Sequence, residues 1–364
     1  MSSYLRVVTE TGDYLDMYDY VIVTHIPAFY KVNLYNELSK KLNIYVIFIA
    51  ENTIEQRAND FNVTKGLKFP HSFLNKGSFQ NRNLKVSISA LKSVLGSVKY
   101  KRLLIPGWDL PEFWYLVLSH RKSQNFLALE STAIESCHNG IKGWIKRFFL
   151  NRVGSVLASG KEHIHLLNNL RFKGQIITTG GVGIINKPLF DRQKKQYEKK
   201  FLFIGRLSEV KNIDLLVDVF NSLPDYELTI IGDGPLYNSL NMSVKTNIHF
   251  LSKVDNKALV DSFLSHDILI LPSLSEPWGL VIEEALYFGV PVIASRNCGA
   301  SELIMDGLNG FIFDPFDKEQ LLSIIQSINV DKYSELLSGV EKFSINEKDN
   351  KQVAAYTSAI LNFD

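Results

Sequence analysis

Residues 275–286 read Ser-Glu-Pro-Trp-Gly-Leu-Val-Ile-Glu-Glu-Ala-Leu and follow directly on the apolar run 267–271. Pro277 and Gly279 mark a helix start at a strand end. Backbone N–H groups left free there, at the positive end of a helix dipole, suit a phosphate. Glu276 stands before the helix and Glu284 about two turns further on. Two carboxylates so placed reach different parts of one ligand and accept hydrogen bonds from hydroxyls, which suits a sugar or a ribose. Glu283, one position off, points about 100° away and reads as a solvated or packing side chain. On pattern alone, an amphipathic helix with acidic ends fits equally well.

Three further segments combine polar chemistry with strand ends. In 203–212, Phe-Ile-Gly-Arg-Leu-Ser-Glu-Val-Lys-Asn, Arg206 offers a planar fork and Lys211 a mobile point charge that can converge on a diphosphate. Taken alone, the two are also compatible with an ordinary basic surface loop. Gly232 and Gly234, in Gly-Asp-Gly-Pro, allow close backbone approach or a tight turn, and lack the remaining glycine of a dinucleotide motif. In 297–302, Asn-Cys-Gly-Ala-Ser-Glu, small residues again admit a ligand, with Glu302 as a ligand contact or a first-turn helix acid.

These segments need strands to hold them. Short apolar runs at 201–205, 226–232, 247–251, 267–271, 291–295 and 310–314 alternate with helical-period segments, the pattern of a parallel βα array. The first half repeats it at 20–25, 44–50, 102–106, 126–130, 155–159 and 175–179, while 53–84 lacks a sustained period and is assigned to loops. Residues 180–200, with glycines, Pro188 and the charged stretch 192–200, have the composition of a hinge. The expectation is an α/β chain of two Rossmann-like, doubly wound domains, 1–185 and 186–345, with ligands in the cleft between them at the carboxyl ends of the strands. Residues 346–364 form a terminal helix that packs back on the first domain.

Together the four segments resemble the retaining glycosyltransferases of family 4, the group 1 sugar transferases of GT-B architecture. The matching residues are Gly205-Arg206-Leu207 with Lys211-Asn212, Gly232-Asp233-Gly234-Pro235, Glu276-Pro277-Trp278-Gly279-Leu280 with Glu284-Ala285, and Gly299 and Glu302 followed by Asp306-Gly307 and Asn309-Gly310. The resemblance covers about 200–315, where order, spacing and strand-end placement agree. It implies that the second domain binds a nucleotide-sugar donor. Arg206 and Lys211 would hold the diphosphate, Glu284 the ribose and Glu276 the hydroxyls of the transferred sugar, with backbone amides around Trp278, Gly279 and Leu280 assisting. No Asp-x-Asp occurs in the sequence, in keeping with an expected mechanism that needs no metal or other cofactor.

The first half departs from that pattern. After its first strand it has Thr-His-Ile-Pro-Ala-Phe-Tyr-Lys in place of a glycine-rich loop, closer to a subgroup found among bacterial polysaccharide transferases. His25, Tyr30 and Lys31 are thereby acceptor-side candidates. Where many relatives place a histidine, this chain has Glu130, which is expected to substitute for it as a sugar-binding or basic group.

Charge is divided unevenly along the chain. Up to residue 190 there are 24 Lys and Arg against 13 Asp and Glu (+11), and beyond it 16 against 25 (−9), consistent with the formal total of +2. A basic first half suggests an anionic partner. Within it, 140–152 carries Lys142, Lys146, Arg147 and Arg152 with Trp144 and two phenylalanines, which fits either a helix resting on an anionic bilayer or a packed helix with a basic outer face. No nucleic-acid-binding module is recognisable. Two cysteines without metal-ligand spacing, no long apolar run and no export signal in the first twenty residues point to the cytoplasm, at the inner face of the plasma membrane. The expected function is sugar transfer from a nucleotide-sugar to a lipid-linked or polysaccharide acceptor in lipopolysaccharide, O-antigen, capsule or exopolysaccharide synthesis. A GT-B sugar-nucleotide epimerase and a non-catalytic sugar-nucleotide binder are the alternatives.

Overall fold

The structure, a computed structural model, describes residues 17–55, 58–191, 196–242 and 244–361. The readings made over residues 1–16 and over 192–195 of the charged hinge lie outside the described residues.

The chain forms two parallel sheets. The first contains β1 (Tyr18–Thr24), β2 (Ile44–Asn52), β3 (His71–Ser78), β4 (Tyr100–Ile105), β5 (Asn125–Leu129), β6 (Ser155–Ala158) and β7 (Gln175–Thr178) in the order β3-β2-β1-β4-β5-β6-β7. The second contains β8 (Lys200–Ile204), β9 (Glu227–Ile231), β10 (Ile248–Leu251), β11 (Ile268–Leu271), β12 (Val292–Ser295) and β13 (Gly310–Phe313) in the order β10-β9-β8-β11-β12-β13. Each is a doubly wound sheet, and together they are the two Rossmann-like domains of a GT-B fold. The strand order reverses between β1 and β4 and between β8 and β11, and at such a switch point the connections leave in opposite directions and open a crevice at the carboxyl ends.

The central strands are apolar on both faces because helices cover both. In β1, Val21 and Val23 join one core cluster with Leu103 and Ile105 of β4, while Tyr20 and Ile22 join the other with Leu104. Burying each such side chain contributes about 1.5–3 kcal/mol, which drives the short runs into the sheet interior. The segment 53–84, assigned to loops from the sequence, contains β3. As the edge strand it pairs only with β2, and its His-Ser-Phe-Leu-Asn-Lys-Gly-Ser sequence is polar because one edge and much of its surface face water.

The C-terminal helix, Ile345–Leu361, buries Val353, Tyr356, Ala359 and Ile360 in the first domain's core, where the Tyr20 hydroxyl donates to the Tyr356 carbonyl at 3.2 Å.

Candidate functional site

Loops after β8, β9 and β11 converge in the second domain. Gly205 N donates to Ile231 O at 3.0 Å and Leu207 N to Asp233 O at 2.9 Å, so the basic loop runs against the Gly-Asp-Gly turn. A Cβ on Gly232 would lie 1.9 Å from Gly205 O, and one on Gly234 would lie 2.3 Å from Leu207 O. These glycines are required for the two loops to pass. Arg206 is exposed and lines a cavity of about 620 Å³ together with Gly205, Gly232 and Gly234 from this domain and Glu55 and Phe61 from the first. Loops from the carboxyl ends of both sheets therefore enclose it.

Lys211 ends a short turn, Glu209–Lys211, and is followed by Asn212 in the left-handed region (φ 55°). The Asn212 amide donates to Pro315 O at 2.9 Å and Pro272 O at 3.3 Å, pinning the basic loop to the segments after β13 and β11. Lys211 thus reaches Glu276 and donates to its carboxylate, both groups being mostly buried. The Glu276 backbone is fixed by N–H donation to Asn297 O (3.1 Å) and by accepting from Gly299 N (2.9 Å). Gly279, at φ 97°, caps the helix Leu280–Tyr287, and there a side chain would be strained and would crowd Glu276. Trp278 is buried and Leu280 half-buried.

Glu283 differs from the solvated alternative left open by the sequence. It is fully buried, accepting from Trp278 Nε1 at 2.6 Å and from Lys348 Nζ, on the C-terminal helix, at 2.7 Å. Lys348 also donates to Gly183 O (3.2 Å) in the hinge and lies 3.1 Å from Asp349 Oδ1. Glu284 faces a second cavity of about 420 Å³ that shares Asn256 and Leu259 with the first. Burial, then the charges of Glu283 and Asp60, push its carboxyl up to about 8. In its protonated form the carboxyl can donate a hydrogen bond as well as accept one.

In the first domain, His25 Nε2 lies 2.7 Å from Asp109 Oδ2. Asp109, beyond the end of β4, was not singled out from the sequence; its signal is the Gly-Trp-Asp that follows the apolar strand. Lys31 is buried and paired with Glu130 at 2.8 Å, so its ammonium faces this carboxylate and not an open acceptor surface. Burial pushes that ammonium down, but Glu130 outweighs it and holds Lys31 well above the usual lysine range. Tyr30 packs edge-on against Phe29 and Phe61, and its carbonyl accepts from Ile184 N in the hinge. His25, Lys31, Glu130 and Asp109 thus gather at the ends of β1, β4 and β5.

Contacts bridge the domains on both sides of the cleft. Asp60 Oδ1 accepts from Asn256 N (3.1 Å) and Nδ2 (2.9 Å), and Asp255 Oδ1 accepts from Asn59 N at 3.2 Å. Glu302 accepts from Lys161 N, capping the first-domain helix Lys161–Asn169. Its partner in this structure is therefore that helix end.

The helix Gly140–Leu150 has a mixed face. Lys146 turns inward, donating to Ser136 Oγ and to Cys137 O at 2.8 Å and lying over the Trp108 ring, and Arg147 reaches His138 O at 3.4 Å. Lys142 and Arg152 are exposed. Beside them Ile141 is 80% and Trp144 65% exposed, with Ile145 and Phe148 also open to solvent. Trp144 stacks on Phe148, which stacks on Trp114, giving one continuous aromatic surface.

Residues 186–343 match the family model described as glycosyl transferases group 1. An uncharacterised 41.2 kDa protein in the cps region of Klebsiella pneumoniae is 34% identical over 155 residues, which are 42% of this chain and 43% of that protein. The chain thus matches less than half the length of that relative. Among solved structures, HepE of Anabaena in complex with UDP-glucose superposes with a TM-score of 0.71 at 16% identity, over 94% of this chain and 99% of that one. The lipopolysaccharide outer core galactosyltransferase WaaB superposes with a TM-score of 0.65 at 15% identity, over 95% and 99%. At such identities these likenesses concern the fold. Residues 186–343 thus match the glycosyl transferases group 1 family model, and the chain has a GT-B fold of two parallel-sheet domains.

Proposed function

We propose that this chain is a glycosyltransferase that moves a sugar, with retention and without a metal, from a nucleotide-sugar to a lipid-linked or polysaccharide acceptor in surface-glycan synthesis. The observation that carries the reading is the placement of Arg206, Lys211 and Glu276 after β8 and β11, the strands that flank the second sheet's switch point, with Lys211 paired to Glu276 and Arg206 lining a cavity of nucleotide size. Arg206 and Lys211 neutralise the departing diphosphate, a task otherwise given to a divalent ion. Glu276 accepts from hydroxyls of the sugar and Glu284 meets the ribose, while Gly205, Gly232 and Gly234 let the backbone approach. HepE, whose structure holds UDP-glucose, and WaaB, named for lipopolysaccharide, support the donor class and the surface-glycan acceptor by fold. Calorimetric titration with UDP, GDP and dTDP tests the donor site. One of them binds the wild type and is weakened at least about tenfold by Arg206→Ala; binding of none, or equal binding by the variant, contradicts the assignment.

The acceptor's lipid places the chain at the inner face of the plasma membrane in this reading. Among the described residues no helix is long and apolar enough to cross a membrane. The aromatic face around Trp144, next to the exposed Lys142 and Arg152 in a basic half-chain, suits an anionic bilayer. Trp144→Ser with Phe148→Ser is expected to release the chain from anionic vesicles in co-sedimentation, and Lys142→Gln with Arg152→Gln to weaken binding most at low salt. Vesicle binding unaltered by all four changes contradicts docking through this face.

A further inference from the structure

We propose that a polar cavity at the carboxyl end of β2 binds neutral saccharide rings of the acceptor glycan. The inference rests on the transferase reading and names a site on the first domain that this reading does not use.

The cavity, of about 430 Å³, is lined by the end of β2 and by residues that follow it, among them Glu51, Asn52, Asn59, Phe61 and Asn62. Volumes of about 300–1,000 Å³ are usual for small-ligand sites. It adjoins the donor cavity of about 620 Å³, because Glu55, Ala58 and Phe61 line both. β2 lies beside β1 in a parallel sheet, so its carboxyl end opens on the same side as the crevice between the domains. A ligand seated here shares a wall with the nucleotide-sugar.

That wall is braced from three directions. Phe29 N donates to Phe61 O at 2.9 Å and Val63 N to Pro27 O at 2.8 Å, which fastens it to the start of the helix Phe29–Leu38. Gln80 donates through Nε2 to Thr53 Oγ1 at 2.7 Å and accepts from Ile54 N at 3.1 Å. Asn59 N and Asp60 reach Asp255 and Asn256 of the second domain, and Asn256 itself lines the donor cavity. The cavity therefore holds its shape before a ligand arrives, which lowers the ordering cost of binding.

Its lining selects for hydroxyls. Small-molecule sites are usually mainly apolar, whereas most side chains here end in an amide, a carboxylate or a hydroxyl. Carboxylates accept and amides both donate and accept, which suits a sugar hydroxyl that does both. Asn62 donates through Nδ2 to Asn52 Oδ1 at 3.0 Å, while its own Oδ1 is shielded from solvent and has no partner among the described residues, leaving an acceptor in the cavity wall. Phe61 and Ala58 supply an apolar patch for the C–H face of a pyranose ring. The charged groups among the described lining residues are Glu51 and Glu55. Like charges brought together are costly, so the site fits the saccharide and turns the phosphate-bearing end of a lipid-linked acceptor elsewhere.

The test uses the full chain and, as probes, maltotriose, lactose, mannotriose and chitotriose, followed by saturation-transfer NMR without nucleotide. At least one probe is expected to take up saturation from the wild type. The signal should fall at least about fivefold when Glu51→Ala is combined with Asn59→Ala, the loss expected on removing hydrogen bonds of which one is to a charged group. Asn59→Ala keeps the backbone N–H that donates to Asp255. Thr64→Trp, at an exposed lining position, should abolish the signal by filling the cavity. Calorimetric affinity for the nucleoside diphosphate should stay within about twofold in these variants, since none of the three positions lines the donor cavity. With a nucleotide-sugar and a lipid-linked glycan, the same variants should raise acceptor KM at least about tenfold and leave kcat and donor KM within about twofold, as when uniform binding is lost. No saccharide signal from the wild type, or a wild-type signal and acceptor KM in the variants, overturns the subsite. So does a rise in donor KM in place of acceptor KM, which would give the cavity to the donor. If the wild type transfers no sugar, the transferase reading fails and the acceptor role with it, whether or not a saccharide binds; if the wild type transfers and the variants match it, the subsite alone fails.

Discussion

Arg206→Ala and Lys211→Ala are each expected to cut the turnover of sugar transfer at least about a hundredfold, or about 2.7 kcal/mol, the scale measured when one donor to a developing oxyanion is removed. In the proposed reaction the leaving nucleoside diphosphate gains charge as the glycosidic bond breaks, and both cations stand on the loop after β8, a strand at the second sheet's switch point. Arg206 is exposed on a loop whose course is set by backbone hydrogen bonds and glycines, so its loss leaves the fold intact. Lys211 carries a second consequence. Its removal leaves the mostly buried Glu276 carboxylate without its cation, facing an anionic donor, and the effect on donor KM should exceed that of Arg206→Ala. Lys211→Arg is expected to recover part of kcat. Steady-state kinetics on folded variants check this, and wild-type turnover in either alanine variant contradicts the leaving-group role.

Breaking the buried pair between Glu283 and Lys348 is expected to cost about 3–5 kcal/mol of stability in Lys348→Met, which strands the Glu283 charge away from water, and less in Glu283→Leu, which leaves Lys348 the Asp349 carboxylate. Lys348→Met leaves Glu283 fully buried with, among the described residues, only the Trp278 indole as partner, and removes the ammonium from Asp349 and the Gly183 carbonyl. Glu283→Leu leaves Lys348 with Asp349 and Gly183. The double variant Glu283→Leu with Lys348→Met removes both charges and should regain most of the loss, as apolar replacements of buried pairs do. Urea denaturation measures the cycle. Single variants within about 0.5 kcal/mol of wild type would show that the pair adds little. The pair ties the C-terminal helix, docked on the first domain, to the helix that follows Glu276, so the same single variants should also raise donor KM.

The parallel strands were legible because each is an apolar run covered on both faces, as in β11 with Ile-Leu-Ile-Leu. β3 was not, because an edge strand needs only one apolar face, and Phe73 and Leu74 alone do not outweigh its histidine, lysine and glycine. Arg206, Lys211 and Glu276 stood out because their segments lie at strand ends, where a doubly wound sheet collects its ligands. The direction of a side chain was harder to read. Lys31 and Lys146 look outward by type, yet each turns to a partner from another segment, Glu130 for one and the 136–137 turn for the other. Pairings across long chain separations left no local trace: Asp109 is 84 positions from His25, and Lys348 is 65 from Glu283. Glu302 read as a ligand contact or a first-turn helix acid, and the helix end that it caps belongs to the other domain.

The cleft is expected to transfer a sugar from a nucleotide donor. Mass spectrometry of a lipid-linked acceptor, after incubation with the full chain and UDP-, GDP- and dTDP-sugars in EDTA, tests it most directly. With one donor the acceptor is expected to gain the mass of one sugar residue. An acceptor left unchanged by every donor, with the sugar-nucleotide only bound or epimerised, contradicts it.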